Sequence, residues 1–171
     1  DLLHGRCLAC HSCGGRAEAV VVEPVGGDKM FRRRLVASSR DLKAGQVMDR
    51  IGVMLGRPFP AGKHLDPIAC NYTERLRVRA SMKGANCSLS GVENKCRDLL
   101  GQGASKETIA AACLAYVLAS TDGMCAALSQ EYGELPVLFS GSVSSTSMLR
   151  AQMTEQSGPI SAAPPFSSDN A

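Results

Sequence analysis

The sequence predicts a mixed α/β fold in which helices pack on a sheet. Three observations carry this prediction. Residues 17–23 are rich in valine, which is typical of a strand. Apolar residues in 41–55 recur at helical spacing, and a long apolar segment follows Ser105. The predicted order is three strands, a helix, a variable middle, and then helix, strand, helix and strand.

The N-terminal part is expected to be a small antiparallel unit followed by a helix. Strands are predicted at 6–11, 17–23 and 30–37, with glycine turns at Gly14-Gly15 and Gly26-Gly27 between them. The helix predicted at 41–55 is amphipathic, and Gly56 with the prolines after it provides a strong stop signal.

The remaining elements are predicted from shorter patterns. Arginine alternates with apolar residues in 74–80, which favours a half-exposed strand. A short helix is expected at 92–100, and Ser105 is a good N-cap for a buried helix to about Gln130. A strand at 135–139, the turn 140–142, a helix at 145–156 and a strand at 160–163 follow. A strand that leads through a glycine turn into the start of a helix can hold a phosphate, although many α/β folds have this geometry for structural reasons.

Composition excludes several classes of protein. The 171 residues are 44% apolar and 20% charged, which is ordinary for a globular protein. No apolar run approaches the length of a membrane span, so no membrane protein is predicted. The net charge of +3 is too small to indicate a nucleic-acid binder by itself, and aromatic residues, at 4%, offer few stacking surfaces.

Eight cysteines are present, and without a recognisable export signal they are expected to stay reduced. The segment from Cys7 to His11 matches the C-x-x-C-H pattern of c-type haem attachment, and Cys13 adds a candidate zinc ligand. Haem would require export, and a structural zinc site would require a second ligand pair. The simpler interpretation is a buried strand that enters the Gly14-Gly15 turn.

Four segments, in order, carry motifs that occur together in one enzyme family. Residues 11–18 (HSCGGRAE) resemble a phosphate loop, H-x-S-G-G-x-T-[EQ]. Residues 41–62 resemble D-x-x-A-G-x-x-x-D-[RK] followed by L-G-x-P-[FY]-P-[AG]-G, and residues 88–91 resemble the end of F-S-[FL]-S-G. Residues 140–150 resemble G-G-V-x-x-N-x-x-L-R, and 166–171 resemble a terminal [CS]-[TS]-D-N-A. The family is the threonylcarbamoyl-adenosine synthase (TsaD-like) family, and D-L-K-A-G-Q looks closer to a paralogous bacterial branch.

This resemblance implies an actin/Hsp70/sugar-kinase-like (ASKHA) fold. Residues 1–171 would form one incomplete domain, the C-terminal lobe of a two-lobed protein, with 63–104 as a variable insertion. The N-terminal half, with its His-x-x-x-His metal pair, would lie upstream of Asp1, because His4 has no histidine four residues later. This part of the protein alone is expected to be inactive.

The implied activity is transfer of threonylcarbamoyl from its adenylate, threonylcarbamoyl-AMP, to N6 of the adenosine next to the tRNA anticodon. The alternative is a non-catalytic nucleotide-binding or scaffold paralog. The implied partners are tRNA and accessory subunits, with no membrane and no DNA, and the implied location is the cytoplasm. A peptidase has no support, because the sequence offers no nucleophile–base pair and no complete metal motif.

The resemblance also assigns site residues, none of them catalytic. Asp169 matches a ligand of one divalent metal ion, Fe²⁺ or Zn²⁺. Without the resemblance, the glycines would more simply be turn residues and Asp49 a solvated helix carboxylate. The positions matched to binding of the nucleotide (threonylcarbamoyl-AMP or ATP) are His11, Ser12, Cys13, Gly14, Gly15, Asp49, Gly62 and Thr146.

Several positions depart from the family pattern, which keeps the paralog alternative open. Cys13 replaces a serine and loses a good hydroxyl donor, and Arg16 replaces a threonine or histidine. Ser142 replaces a glycine, so its Cβ is expected to crowd a turn, and Thr146 replaces an asparagine. Arginines at 32–34 and at 75, 77 and 79 are candidates for tRNA phosphates, although solvated strand faces are the simpler interpretation.

Overall fold

A mixed four-stranded sheet is the centre of the molecule. The structure is a computed structural model that describes residues 5–26, 30–74 and 76–147. The strands are β1 (Cys7–Ser12), β2 (Ala17–Pro24), β3 (Phe31–Ser38) and β6 (Val137–Ser140), in the order β3-β2-β1-β6. The first three pair antiparallel and β6 pairs parallel to β1. This arrangement confirms the predicted α/β class with a mixed sheet.

The strand that carries the C-x-x-C-H pattern is β1, as the simpler interpretation predicts. Cys7 and Cys10 are both buried in it. Because they are three positions apart on a strand, their side chains point to opposite faces of the sheet. They therefore do not converge on one haem or one zinc ion.

Two of the predicted helices form, although the first begins at Ala44, three residues later than predicted. Helix α1 (Ala44–Met54) stops before Gly56, which has a φ of 81° that favours glycine. Helix α4 (Lys106–Tyr132) begins at the predicted cap, because Ser105 Oγ accepts a hydrogen bond from the Thr108 amide at 3.2 Å. By length and composition α4 could cross a membrane, but 67% of its most apolar window is buried inside the protein, as in a core helix.

The middle of the chain differs from the prediction. The prediction of a strand at 74–80 is wrong, because 76–80 has no regular secondary structure. Its alternation reflects burial alone, with Leu76 and Val78 half-buried and Arg77 and Arg79 exposed. A 3-10 helix (Gly62–His64), α2 (Leu65–Ala69) and a hairpin of β4 (Ser81–Lys83) and β5 (Asn86–Ser88) were not predicted, because such short elements leave little periodicity.

The expected short helix is α3 (Ser90–Gly101). Together with α1, α2 and the sheet it surrounds α4, and one continuous core results. The stretch 63–104 contributes fully buried side chains such as Leu65, Leu89 and Cys96 to this core. The helix expected at 145–156, the strand at 160–163 and the motif at 166–171 extend into residues 148–171, outside the described ranges.

Asp41 joins the start of α1 to the start of α3. Its Oδ1 accepts hydrogen bonds from the amides of Leu42 (2.8 Å) and Leu89 (2.7 Å). Its Oδ2 accepts from the Ser90 amide (3.2 Å) and the Ser90 hydroxyl (2.6 Å). Burial alone would raise the pKa of Asp41, but these hydrogen bonds outweigh it and lower the pKa. The carboxylate thus caps α3 from a distant part of the sequence.

We predict that Asp41→Ala lowers the free energy of unfolding by about 1–2 kcal/mol, the usual cost of a lost helix cap. The pKa of Asp41 is lower in the folded protein than in the unfolded chain, where it is about 4. The stabilisation by Asp41 is therefore fully present above pH about 4 and is lost as the pH falls through the pKa of the folded protein. Urea unfolding at several pH values measures this. Asp98→Ala, an exposed aspartate on α3, is the control and should change little. Equal effects of the two variants would contradict the capping role.

Candidate functional site

A cavity of about 450 Å³ opens where four segments of backbone meet. They are the glycine loop (residues 12–15, between β1 and β2), the start of α1, residues 60–66, and the turn after β6. The volume lies in the range of about 300–1,000 Å³ that is usual for small-molecule sites. The lining residues are Gly14, Gly45, Met48, Asp49, Pro60, Gly62, Lys63, Asp66, Ser142, Val143 and Thr146.

The glycine loop closes around a sulfur atom. Cys13 Sγ accepts hydrogen bonds from the amides of Gly15 (3.4 Å) and Arg16 (3.2 Å), and the Cys13 amide donates to the Arg16 carbonyl at 2.8 Å. The cysteine that replaces a serine therefore acts here as an acceptor that shapes the loop. The amide of Gly15, a position that the resemblance matches to nucleotide binding, therefore bonds to this sulfur.

Two glycines outside the loop let other segments touch its backbone. The Gly45 amide donates to the Cys13 carbonyl at 3.2 Å, and a Cβ at Gly45 would lie 2.6 Å from the Gly14 nitrogen. Gly141 has a φ of 96°, and a Cβ there would overlap the Ser12 carbonyl. These contacts place the start of α1 and the end of β6 directly against the loop.

The crowding expected at Ser142 is wrong. Its side chain is exposed at the edge of the cavity, whereas the crowded position is its neighbour Gly141. The sequence showed that one glycine of the pair was missing, but only the backbone path showed which of the two positions lacks room for a Cβ.

Asp49 and Gly62 are in direct contact. Asp49 Oδ1 accepts a hydrogen bond from the Gly62 amide at 2.7 Å, and a Cβ at Gly62 would lie 3.0 Å from the Met48 Cβ. This bond holds residues 60–64 against α1. Among the described residues, Oδ1 is the only oxygen of this carboxylate with a hydrogen-bond partner, so Oδ2 remains available at the cavity.

Asp66 is a cavity residue that the sequence analysis missed. Its Oδ2 accepts hydrogen bonds from the amide and the hydroxyl of Ser147, both at 2.8 Å, so α2 is tied to the chain that follows β6. Lys63 lies beside it at the cavity edge. A signal was present, because Asp66-Pro67 has the composition of a helix first turn, but the segment lay in the stretch interpreted as a variable insertion.

The predicted nucleotide residues divide into two groups. Gly14, Asp49, Gly62 and Thr146 line the cavity, whereas His11, Ser12, Cys13 and Gly15 do not. The Thr146 hydroxyl donates to the Val143 carbonyl at 3.1 Å.

His11 lies in the strand that leads into the loop. Its Nδ1 shares a hydrogen bond of 2.9 Å with Ser140 Oγ, which joins the ends of β1 and β6. The sequence did not reveal this histidine–serine pair, because 129 residues separate the two side chains.

The predicted metal ligand Asp169 lies outside the described residues. Within 5–26, 30–74 and 76–147, no three His, Cys, Asp or Glu side chains cluster as a metal site would require. Of the candidate tRNA arginines, Arg32, Arg33 and Arg34 are exposed on β3, and Arg34 lies 5.2 Å from the ring centre of Tyr132. Arg77 and Arg79 are exposed, and residue 75 is not described.

The mixed sheet, its glycine loop and the flanking helices form a fold of the ASKHA type, as comparison with solved structures shows. One similar solved structure is the activator of 2-hydroxyisocaproyl-CoA dehydratase from Clostridium difficile with bound ADPNP. The alignment covers 98% of this chain and 56% of the activator chain. Its TM-score is 0.56 at 16% identity. The alignment with HypF from T. kodakarensis covers 77% of this chain and 18% of the HypF chain, with a TM-score of 0.56 at 22% identity. Both similarities concern the fold alone.

Within that class, the chain belongs to the TsaD family, tRNA N6-adenosine threonylcarbamoyltransferase, whose profile matches residues 14–171. Relatives with that name include a protein from Enterococcus faecalis, which is 29% identical over 82% of this chain. The relative from Halalkalibacterium halodurans is 28% identical over 86% of this chain, and the one from Moorella thermoacetica is 31% identical over 74%. The chain spans 41%, 44% and 41% of their respective lengths. The resemblance read from the motifs is thus confirmed.

We predict that Gly45→Ala destabilises the protein by about 1–3 kcal/mol, the usual cost of overpacking, because its Cβ would collide with the glycine loop. Gly91→Ala is a matched control, since both glycines are the second residue of a helix but a Cβ at Gly91 meets nothing within 4 Å. That variant should be neutral or stabilised by up to about 1 kcal/mol. Thermal unfolding of both variants measures the difference, and equal stabilities would contradict the close approach.

Proposed function

We propose that this chain is part of an enzyme, an acyltransferase that moves threonylcarbamoyl from threonylcarbamoyl-AMP to N6 of the adenosine next to the tRNA anticodon. The observation that carries the proposal is the combination of the family match over residues 14–171 with a nucleotide-sized cavity at the matched positions. Gly14, Asp49, Gly62 and Thr146 were predicted from motifs far apart in the sequence, and they line the same cavity.

The cavity residues supply the interactions that an acyl-adenylate needs. The glycine loop offers the Gly14 amide to a phosphate, since the amides of Cys13, Gly15 and Arg16 are bonded within the loop. Gly14 also allows close approach because it has no side chain. Asp49 Oδ2 accepts hydrogen bonds from ribose hydroxyls while Oδ1 stays bonded to Gly62. The Lys63 ammonium provides a positive charge at the cavity edge, where it favours an anionic ligand.

The rest of the machinery is proposed to come from elsewhere in the protein and its complex. Residues 1–171 would be one incomplete domain, with 63–104 as a variable insertion, and would be inactive without the N-terminal half. A divalent ion, Fe²⁺ or Zn²⁺, bound by Asp169 and upstream histidines would neutralise phosphate charge and act as a Lewis acid. The proposed partners are tRNA and accessory subunits in the cytoplasm, without membrane or DNA.

A second candidate, a nucleotide-binding paralog without transferase activity, is favoured by one specific observation. Two side chains at positions that depart from the family pattern are engaged within the protein: Cys13 Sγ accepts from two loop amides, and the Thr146 hydroxyl donates to Val143. Neither group is then presented to a ligand in the way that a serine hydroxyl or an asparagine amide would be. Nucleotide binding is common to both candidates, and only transfer to tRNA separates them.

We predict that the 171-residue chain binds AMP or ADP and that Asp49→Asn weakens this binding about tenfold or more, the cost of losing a charged hydrogen-bond acceptor. The asparagine oxygen can still accept from the Gly62 amide, so the fold should be retained. Isothermal titration calorimetry measures the affinity, with Asp98→Ala as a control aspartate. Unchanged affinity in Asp49→Asn would exclude the proposed ribose contact.

The transferase proposal is tested with the full-length protein that the gene encodes, its accessory subunits, tRNA and a divalent metal. Mass spectrometry of the tRNA nucleosides should detect threonylcarbamoyladenosine. Asp169→Ala should reduce its formation at least about 100-fold, as expected for loss of a ligand of an essential metal. If AMP binds but no modified nucleoside forms under these conditions, the paralog candidate is correct and the transferase proposal fails.

A further inference from the structure

Two cysteines that play no part in the proposed site are in contact. Cys10 lies on β1 and Cys125 lies on α4, and their sulfur atoms are 3.5 Å apart. Although 115 residues separate them, the packing of α4 on the sheet brings the two thiols together. Both are free thiols in this structure.

The two thiols differ in their access to solvent. Cys10 is buried at 3% exposure, whereas Cys125 is half-buried and lines a surface cleft of about 390 Å³. Asp122 and Glu134 also line this cleft, which is separate from the cavity beside the glycine loop. A small polar oxidant can therefore reach Cys125 first, with Cys10 directly behind it.

The hydrogen bond between the thiols distinguishes their reactivity. The hydrogen bond with Cys10 lowers the pKa of Cys125, against the opposing effects of burial and of the Asp122 carboxylate. The same bond, together with burial, raises the pKa of Cys10 well above its ordinary value. Because Cys125 lines the cleft and Cys10 is buried behind it, Cys125 is the attacking thiol and Cys10 the resolving thiol, and the pKa directions agree with this order.

We propose that Cys10 and Cys125 form an oxidisable dithiol site that hydrogen peroxide converts to a disulfide. The Cys125 thiol first loses its proton to solvent, and the thiolate then attacks hydrogen peroxide. An S–O bond forms, the O–O bond breaks, and the departing hydroxide takes a proton from solvent to become the first water. Cys10 Sγ then attacks Cys125 Sγ, an S–S bond forms, the S–O bond breaks, and hydroxide leaves with the Cys10 proton as water. Overall, two thiols lose two electrons and hydrogen peroxide is reduced to two waters.

A second thiol pair in the same fold provides an internal comparison. Cys96 on α3 and Cys113 on α4 are close enough to shift each other's pKa, downward for Cys96 and upward for Cys113, but both side chains are at 0% exposure. An oxidant cannot reach either sulfur without unfolding of the protein. If proximity of two thiols were sufficient, both pairs would oxidise, whereas a requirement for solvent access as well predicts oxidation of Cys10–Cys125 alone.

The location gives the cross-link a structural consequence. Cys10 is two residues before Ser12, where β1 enters the glycine loop, so a disulfide would fix this end of β1 to α4. It would also close a long loop in the unfolded chain, which stabilises the folded state. The proposal depends on these contacts and not on the proposed enzymatic function.

The test treats the folded 171-residue chain with hydrogen peroxide and maps disulfides by non-reducing peptide mass spectrometry. Cys70→Ser is the background, because Cys70 is exposed and would otherwise link molecules. We expect loss of two thiols, a Cys10–Cys125 peptide and a raised Tm, all reversed by dithiothreitol. Cys125→Ser should remove the cross-link and the Tm change, whereas Cys96→Ser should leave both unchanged.

Three results would overturn the proposal. They are a cross-link that includes Cys96 or Cys113 at a comparable rate, oxidation of Cys125 to sulfinic acid without a disulfide, and no loss of thiols in the folded chain. Cys10→Ser is a second variant at the resolving position. With it, Cys125 should stop at the sulfenic acid, which a dimedone adduct detects.

Discussion

The candidate site depends on a contact between backbones that only glycine permits. Gly45 and Gly141 bring the start of α1 and the end of β6 against residues 12–14, where a Cβ would lie within 3 Å of backbone atoms or overlap them. Because protein interiors are closely packed, a shift of either segment would displace the side chains packed against it. The position of each cavity residue therefore follows from these two approaches, since the same helix carries Asp49 and the same turn leads to Thr146.

Carboxylates then fix the segments that the glycines bring together. Asp49 holds residues 60–64 to α1, Asp66 holds α2 to the segment after β6, and Asp41 holds α3 to the start of α1. Each accepts a backbone amide from a distant segment, an interaction that satisfies an otherwise unpaired donor. Together these hydrogen bonds connect α1, α2 and α3 to segments that are distant in the sequence.

The sequence predicted the parts of the fold whose pattern is local. The valine-rich strand, the capped helix after Ser105 and the glycine stop of α1 each follow from periodicity and turn chemistry within one segment. It failed at 74–80, because alternation of apolar and charged residues records which side chains are buried but not whether a partner strand is present. It also missed Asp66, whose partner is 81 residues away.

By itself the sequence determined the family, the α/β class and the identity of the glycines and carboxylates at the matched motifs, because these are recorded in residue order and spacing. Only the tertiary structure decided which of them share a cavity, that the Cys13 sulfur accepts the loop amides, that Gly141 is crowded while Ser142 is exposed, and that Cys10 contacts Cys125. The physical reason is that these are relations between distant segments. They are set by backbone path and packing, and no local pattern encodes them.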